Sequence, residues 1–275
     1  MTPLVLKFGG ELLEERSRMD VVAAVVAQIA ATGGPPVVVH GGGKEIDAAL
    51  ATAGVEKRQA EGLRITDEAT LEIVVSVLAG AVNTRLVAAL SAAGARAVGL
   101  TGADGSCGLS DVTPPHRTVD GRLVDLGRVG FPAARADMRL LQTLLQDGFV
   151  PVVASIGIDS DGRLLNVNAD TMAGHLAGRL RAGRLVIAGS TAGVLDATGR
   201  TIPLLDPAAI GQLVAGGTAT AGMIAKLRAC EQALAGGVDD VVIVDGRDRD
   251  ALRAAAAGSV PTAATRVVTT VGTRS

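Results

Sequence analysis

The sequence predicts an α/β protein: a three-layer αβα sandwich on a central, mostly parallel sheet, with two lobes on one continuous sheet. Three observations lead there. Apolar runs of strand length alternate with helical patterns along most of the chain. Glycine pairs and triplets stand directly behind the first two runs, at 9–10 and 41–43. No low-complexity linker interrupts the pattern, so nothing divides the sheet. With 275 residues, 48% of them hydrophobic, and 36 glycines, the chain can form a sizeable core joined by many tight turns.

The first run, "LVLKF" (4–8), reads as a buried strand, yet it contains Lys7, and an unpaired buried ammonium costs several kcal/mol (order of magnitude). A helix is expected near 19–31, then the strand "PVVVH" (36–40), a helix near 44–53 and a long helical stretch over 67–92. "RAVGL" (96–100), a helix near 134–147 and "VPVVAS" (150–155) continue the alternation. A helix begins near Ala169, followed by "RLVIAG" (184–189), helices near 206–215 and 222–235, and "DVVIVD" (240–245). Two polar segments, "GRLVDLGRVG" (121–130) and "GIDSDGRLLNVN" (157–168), read as hairpins, the second turning at Asp161-Gly162.

Composition excludes several classes. The formal net charge of −2, the absence of Trp and Tyr, and only three Phe leave neither a basic surface nor an aromatic platform for nucleic acid. Cys107 and Cys230 form no CxxC pair or disulfide framework, which fits a reducing compartment. No signal sequence and no uninterrupted apolar run of membrane-spanning length is found, so a cytoplasmic protein with no membrane partner is expected. The basic residues are almost all arginine; Lys7, Lys44, Lys57 and Lys226 are the lysines.

In open α/β sheets, ligands collect beyond the carboxyl ends of the strands. Gly9-Gly10 and Gly41-Gly42-Gly43 sit at two such ends, where backbone N–H groups can approach an anion and a helix start adds positive potential. Tight turning alone would also explain each pair. "HGGGKEI" is not a P-loop, because Glu45 follows the GK and the first Gly is missing. His40, His116 and His175 are scattered, with no HExxH or Cys/His cluster, so no metal site is expected. In "LLNVNAD" (164–170), Asn166 and Asn168 share one side of an extended segment, and Asp170 stands where a helix would begin, as an N-cap or a site acid. "GGTATAGMIAKL" (216–227) sets Lys226 on a helix behind a Gly- and Thr-rich loop, and "GLRITDEATL" (62–71) sets Arg64 before a helix start marked by Thr66 and Asp67.

Taken in order, "KFGGELL" (7–13), "VVVHGGGKEID" (37–47), "GLRITD" (62–67), "VGLTGADG" (98–105), "VDLGRVG" (124–130), "VNADTMA" (167–173) and "GMIAK" (222–226) resemble the amino acid kinase family nearly end to end. "HGGG", "GLRITD" and "NVNAD" favour its branch acting on N-acetyl-L-glutamate. The resemblance implies ATP-dependent phosphorylation of that substrate's side-chain carboxylate, in arginine biosynthesis, with Mg²⁺ on the ATP phosphates. It implies that Lys7 and Lys226 neutralise the transferring phosphoryl group and that Asp170 holds both lysines. Amides of Gly9, Gly10 and Gly41 would face nucleotide phosphate, and those of Gly42 and Gly43 the substrate, whose α-carboxylate Arg64 and Asn166 would grip. Residues 1–175 would form the acyl-amino-acid-binding and dimerising lobe, residues 176–275 the nucleotide lobe.

One departure stands out. Family members usually carry an acid after the strand that here reads "LVIAG", where this chain has Ser190. The alternatives are therefore a kinase for N-succinylglutamate or a carrier-linked aminoadipate, or a non-catalytic ligand sensor. With only "MTP" before the first strand, the resemblance further implies a homodimer that arginine does not inhibit.

Overall fold

The computed structural model describes residues 2–118, 121–216 and 221–269. The strands begin with β1 (Leu4–Phe8), β2 (Val37–His40), β3 (Gln59–Ala60), β4 (Leu63–Arg64) and β5 (Ala97–Thr101). Next come β6 (Ser110–Val112), β7 (His116–Arg117), β8 (Leu123–Val124), β9 (Val129–Pro132), β10 (Val150–Ala154), β11 (Ile156–Ile158) and β12 (Leu164–Val167). The last are β13 (Arg184–Gly189), β14 (Leu204–Leu205), β15 (Asp240–Asp245) and β16 (Thr265–Val267). The helices are α1 (Arg16–Gly33), α2 (Gly43–Thr52), α3 (Glu68–Val75), α4 (Asn83–Ala92) and α5 (Arg139–Gln146). They continue with α6 (Ala169–Leu180), α7 (Pro207–Ala215), α8 (Ala221–Ala235) and α9 (Arg249–Ala256).

Among these residues one eight-stranded sheet runs β14-β16-β15-β13-β1-β2-β10-β5. All neighbours are parallel except β15 and β16. β1 lies at its centre, pairing Lys7 with Ile187 of β13 and Val39 of β2. The period-two alternation of strands sorts the core into two layers. Val5, Val37, Val39, Val153, Leu185, Ile187, Val241 and Ile243 face α5 to α8. Leu6, Phe8, Val38, Val152, Val186, Val242 and Val244 face α1 to α4 and α9. Each such side chain, fully buried, contributes about 1.5–3 kcal/mol. A continuous sheet with helices on both faces is the arrangement the alternation predicts.

Two local expectations need correction. Segment 121–130 is not a hairpin of its own. β8 pairs back with β7, while β9 joins β6 and β12, because residues 121–130 split at Gly127, whose φ of +68° breaks the extended run. The cap of α6 is Asn168, not Asp170: the Asn168 side chain accepts from the N–H groups of Asp170 and Thr171. That leaves the Asp170 carboxylate free to point elsewhere. The stretch 68–92 is long and apolar enough to cross a membrane, but Val74, Leu78, Val82, Leu86 and Leu90 belong to the core. It changes to a π-helix over Ser76–Val82 before α4.

Candidate active site

Lys7 shares a face with Val5, by alternation, and that is the face against which α6 packs. Asp170, in the first turn of α6, meets it there: Nζ of Lys7 lies 2.8 Å from Oδ1, and both residues are under a tenth exposed. Burial pushes the Asp170 carboxyl up, but the charges of Lys7 and then Lys226, with the hydrogen bond from Lys7, outweigh it and hold the group below the usual carboxylate range. A lysine inside an apolar strand is thus accounted for by an ionised acid across the layer.

A helix packing brings the charge of Lys226 near the same acid. A Cβ on Gly174 would stand 2.6 Å from the carbonyl oxygen of Ala229, so only glycine there lets α6 and α8 approach this closely. About one turn back along each helix stand Asp170 and Lys226. Nζ of Lys226 is 3.6 Å from the point a Cβ on Gly189 would take, at the end of β13. Lys226 forms no ion pair with a described residue, although Asp170 feels its charge. Of the Gly- and Thr-rich loop before it, residues 217–220 lie outside the described residues.

The glycine turns behind β1 and β2 touch. A Cβ on Gly10 would lie 2.8 Å from Cα of Gly42 and 3.2 Å from the nitrogens of Gly42 and Gly43. Gly42 caps α2 and Gly43 opens it, so their N–H groups have no carbonyl of their own helix to bond. Between the turns and the start of α6 opens a cavity of about 460 Å³, with Lys7, Gly9, Gly10, Gly41, Gly42, Gly43, Arg64, Asn166 and Asp170 in its wall. Lys226 stands outside that wall, on the β13 side.

Arg64 is aimed rather than loose. Its Nη2 pairs with Asp47 and donates to the Gly43 carbonyl oxygen at 3.4 Å, while its buried Nη1 has no partner among the described residues. Burial raises the Asp47 carboxyl, but hydrogen bonds from Lys57 and Arg64 and their charges bring it below its ordinary value. Asn166, on β12, donates to Oγ1 of buried Thr66 at 3.1 Å. Asp67 caps α3 by accepting from the Thr70 N–H, which fixes the chain just past Arg64.

Two residues here were given no role by the sequence reading: Asp47 and Glu11. Glu11 lies over the first glycine turn, 2.4 Å from where a Gly9 Cβ would be, and accepts from the Ser190 N–H at 3.2 Å. Its place directly after "GG" was the one available signal. A larger cavity of about 670 Å³ opens at the opposite, amino-terminal ends of β1 and β13, but its charged groups Arg184 and Asp240 already satisfy each other at 2.8 Å. Cys107 and Cys230 are free and buried; burial pushes both thiols up, Cys107 to about 12, so neither is poised as a nucleophile.

A mostly parallel αβα sheet with touching glycine turns and a buried lysine at its strand ends, and a second lysine brought near from α8, defines a phosphoryl-transfer class of site. Residues 2–245 match the model of the amino acid kinase family, and the chain belongs to that family. It is 41% identical over 249 residues to the acetylglutamate kinase of Methylobacterium nodulans, covering 89% of this chain and 81% of that one. To the acetylglutamate kinase of Rhizorhabdus wittichii it is 44% identical over 247 residues, 88% of this chain and 82% of that one. In fold it is similar to the N-acetylglutamate synthase of Neisseria gonorrhoeae crystallised with coenzyme A and N-acetyl-glutamate (TM-score 0.82, 24% identity). That match covers 98% of this chain but 60% of the synthase. Giardia carbamate kinase has the same fold (TM-score 0.65, 17% identity, 98% and 99% covered).

Proposed function

We propose that this protein transfers the γ-phosphoryl group of ATP to the side-chain carboxylate of N-acetyl-L-glutamate, giving an acyl phosphate and ADP, as in arginine biosynthesis. A carboxylate oxygen attacks the γ-phosphorus while the bond to the β,γ-bridging oxygen breaks, and its electron pair leaves with ADP. The nucleophile is already ionised at neutral pH and needs no general base. The obstacle is the approach of two anions, so catalysis is positioning and charge stabilisation. Lys7, held by Asp170, and Lys226, on the other side, neutralise the phosphoryl oxygens; the amides of Gly10 and Gly41 face nucleotide phosphate, whereas the Gly9 N–H is already given to the Ala188 carbonyl oxygen at 3.0 Å and does not. Those of Gly42 and Gly43 face the acceptor, and Arg64 with Asn166 grips its α-carboxylate.

The observation that carries this reading is the pairing, in one cavity, of a buried Lys7–Asp170 ion pair with an Arg64 Nη1 that has no partner among the described residues. Among the described residues no three metal-ligating side chains cluster, so Mg²⁺ enters on the nucleotide, as part of its MgATP substrate, held by phosphates and water. On this reading residues 1–175 bind the acyl amino acid and residues 176–275 the nucleotide. The protein acts in the cytoplasm as a two-fold homodimer, the commonest closed assembly. Trapping the acyl phosphate as a hydroxamate tests the proposal, with N-acetyl-, N-succinyl- and unmodified glutamate as acceptors. Turnover of N-acetylglutamate and rejection of free glutamate is the expected result, since a free α-ammonium beside the Arg64 guanidinium is repelled. Equal kcat/KM for the two would sink it.

A further inference from the structure

Beneath the second glycine turn lies a hydrogen-bonded chain that the groups above do not include. His40, the last residue of β2, is completely buried. Its Nδ1 lies 3.1 Å from the carbonyl oxygen of Gly41, and its Nε2 lies 3.0 Å from Nδ2 of Asn83. Nδ2 of Asn83 also donates to the Val152 carbonyl oxygen at 2.9 Å. A flipped amide would set its oxygen against that carbonyl, so the nitrogen faces both groups. Since an amide nitrogen only donates and a carbonyl only accepts, Nε2 of His40 is the acceptor and Nδ1 carries the hydrogen.

Asn83 itself is tightly placed. It is the first residue of α4, where the π-helical turns of Ser76–Val82 end, and π-helical turns cluster at functional sites. A Cβ on Gly99 would stand 2.2 Å from its Oδ1, so the amide is seated against a strand that has no side chain there. The carbonyl of Gly41 and the N–H of Gly42 belong to one planar trans peptide and point in opposite directions. Drawing the carbonyl toward the imidazole therefore turns the Gly42 N–H away from it, to the Gly10 side, where the Gly42 nitrogen is found. That N–H has no acceptor among the described residues. A peptide flanked by two glycines rotates more easily than any other, so its orientation needs a restraint from outside the turn. Burial keeps the imidazole neutral by lowering its pKa to about 4, so the restraint holds throughout the neutral range.

We propose that His40, with its tautomer set by Asn83, is a positioning residue that locks the Gly41–Gly42 peptide and presents the Gly42 N–H to a substrate oxygen. The proposal rests on the reading that this amide faces the acceptor. Two half-replacements test it. His40→Asn puts an amide donor near Nδ1 and can keep the bond to Gly41; His40→Gln extends toward Asn83 and loses that donor. Both remove a similar amount of packed ring, so a merely structural histidine would make them equal. The expected result is that His40→Asn keeps kcat/KM for the acyl amino acid within about fivefold, while His40→Gln lowers it at least about twentyfold. In ¹⁵N-labelled enzyme, the histidine resonance lost in either variant should show protonation on Nδ1, and the Gly42 amide resonance should move more in His40→Gln. Hydroxamate formation by the unsubstituted enzyme checks the functional reading separately, because the two spectra are read without turnover. Protonation on Nε2, or equal losses in both variants, overturns the proposal.

Discussion

Lys7 and Lys226 carry the same charge in opposite surroundings. Lys7 is 7% exposed on the central strand and paired with Asp170 at 2.8 Å. Lys226 is partly exposed on α8 and ion-paired with no described residue. The side of the cleft lined by α2 and β12 repeats the first pattern: Arg64 is tied to Asp47 and Asn166 to Thr66. On the β13 side Glu11 accepts from the Ser190 amide, and the Gly9 N–H donates to the Ala188 carbonyl oxygen at 3.0 Å. One half of the cleft is wired by the fold itself, while the cation of the other half has no ion-pair partner among the described residues. On the proposed function, the difference separates charges that serve folding and chemistry together from those that serve chemistry alone.

The largest expected effect breaks or sharpens that contrast directly. Lys7→Ala and Lys226→Ala should each lower kcat at least about a hundredfold, roughly 3 kcal/mol of lost charge stabilisation. Only Lys7→Ala should also destabilise the fold strongly, by about 3–5 kcal/mol, because it strands the Asp170 carboxylate in the core. Adding Asp170→Ala to Lys7→Ala should recover part of that loss without recovering activity. Denaturant unfolding beside steady-state kinetics reads both quantities. Equal stability losses for the two lysine variants would erase the distinction.

Acid should attack the wired side in two steps. Burial lowers the pKa of His40 to about 4, and burial with the Arg179 charge does the same for His175. In each case the folded pKa lies below the unfolded value of about 6.5, so the unfolded chain takes up protons first. Stability is complete above pH 6.5 and falls as pH drops toward about 4, by roughly 3 kcal/mol per histidine. Asp170, whose pKa is lowered, adds a later loss below the ordinary carboxylate range. Unfolding free energies measured between pH 7.5 and 4.5 should slope accordingly, less steeply in His40→Asn. A flat profile from pH 7 to 5 would contradict both burial arguments.

Arg64→Ala should act mainly on KM for the acyl amino acid, raising it about ten- to a hundredfold while kcat changes little, since a carboxylate grip is equal in ground and transition states. Asp47→Asn should give a smaller rise of the same kind, because Arg64 remains but is no longer held. Initial-rate kinetics with each substrate varied separates these cases. A fall in kcat alone from Arg64→Ala would place that guanidinium on the phosphoryl group instead.

Much of the fold was legible because buried parallel strands read as unbroken apolar runs: "RLVIAG" and "DVVIVD" coincide with β13 and β15. Lys7 was legible as an anomaly, since a charge in such a run demands a partner. What stayed hidden is what tertiary packing decides. Asn168 and Asp170 are both good helix caps, and only the packing of α6 on β1 shows that one caps while the other pairs. Asp47 meets Arg64 seventeen residues away, and Asn83 meets His40 forty-three away, with no periodicity to link them. The π-helical turns over Ser76–Val82 carry an ordinary helical pattern and leave no mark in sequence. Helix α9 and strand β16 were missed because the alanine-rich segment 249–256 is short and Thr265–Val267 supplies only three strand residues.

The smallest effect tests the sparsely wired side. Ser190 follows β13, and its N–H donates to Glu11 Oε1 at 3.2 Å. Ser190→Asp introduces a second carboxylate beside the first, on the side where Lys226 approaches Gly189. Like charges a few ångströms apart at a partly exposed site repel by about 1 kcal/mol. Added negative charge also opposes incoming nucleotide phosphates. KM for ATP should therefore rise about fivefold, while KM for the acyl amino acid, bound beyond the glycine turns, stays within about twofold. Glu11→Gln in the same chain removes one of the two charges and should return most of the ATP affinity, a coupling that a double-mutant cycle measures. A change confined to the acyl-amino-acid KM would mean that the loop after β13 serves the acceptor. No coupling between positions 11 and 190 would mean that the Glu11 carboxylate leaves Ser190 whenever nucleotide is bound.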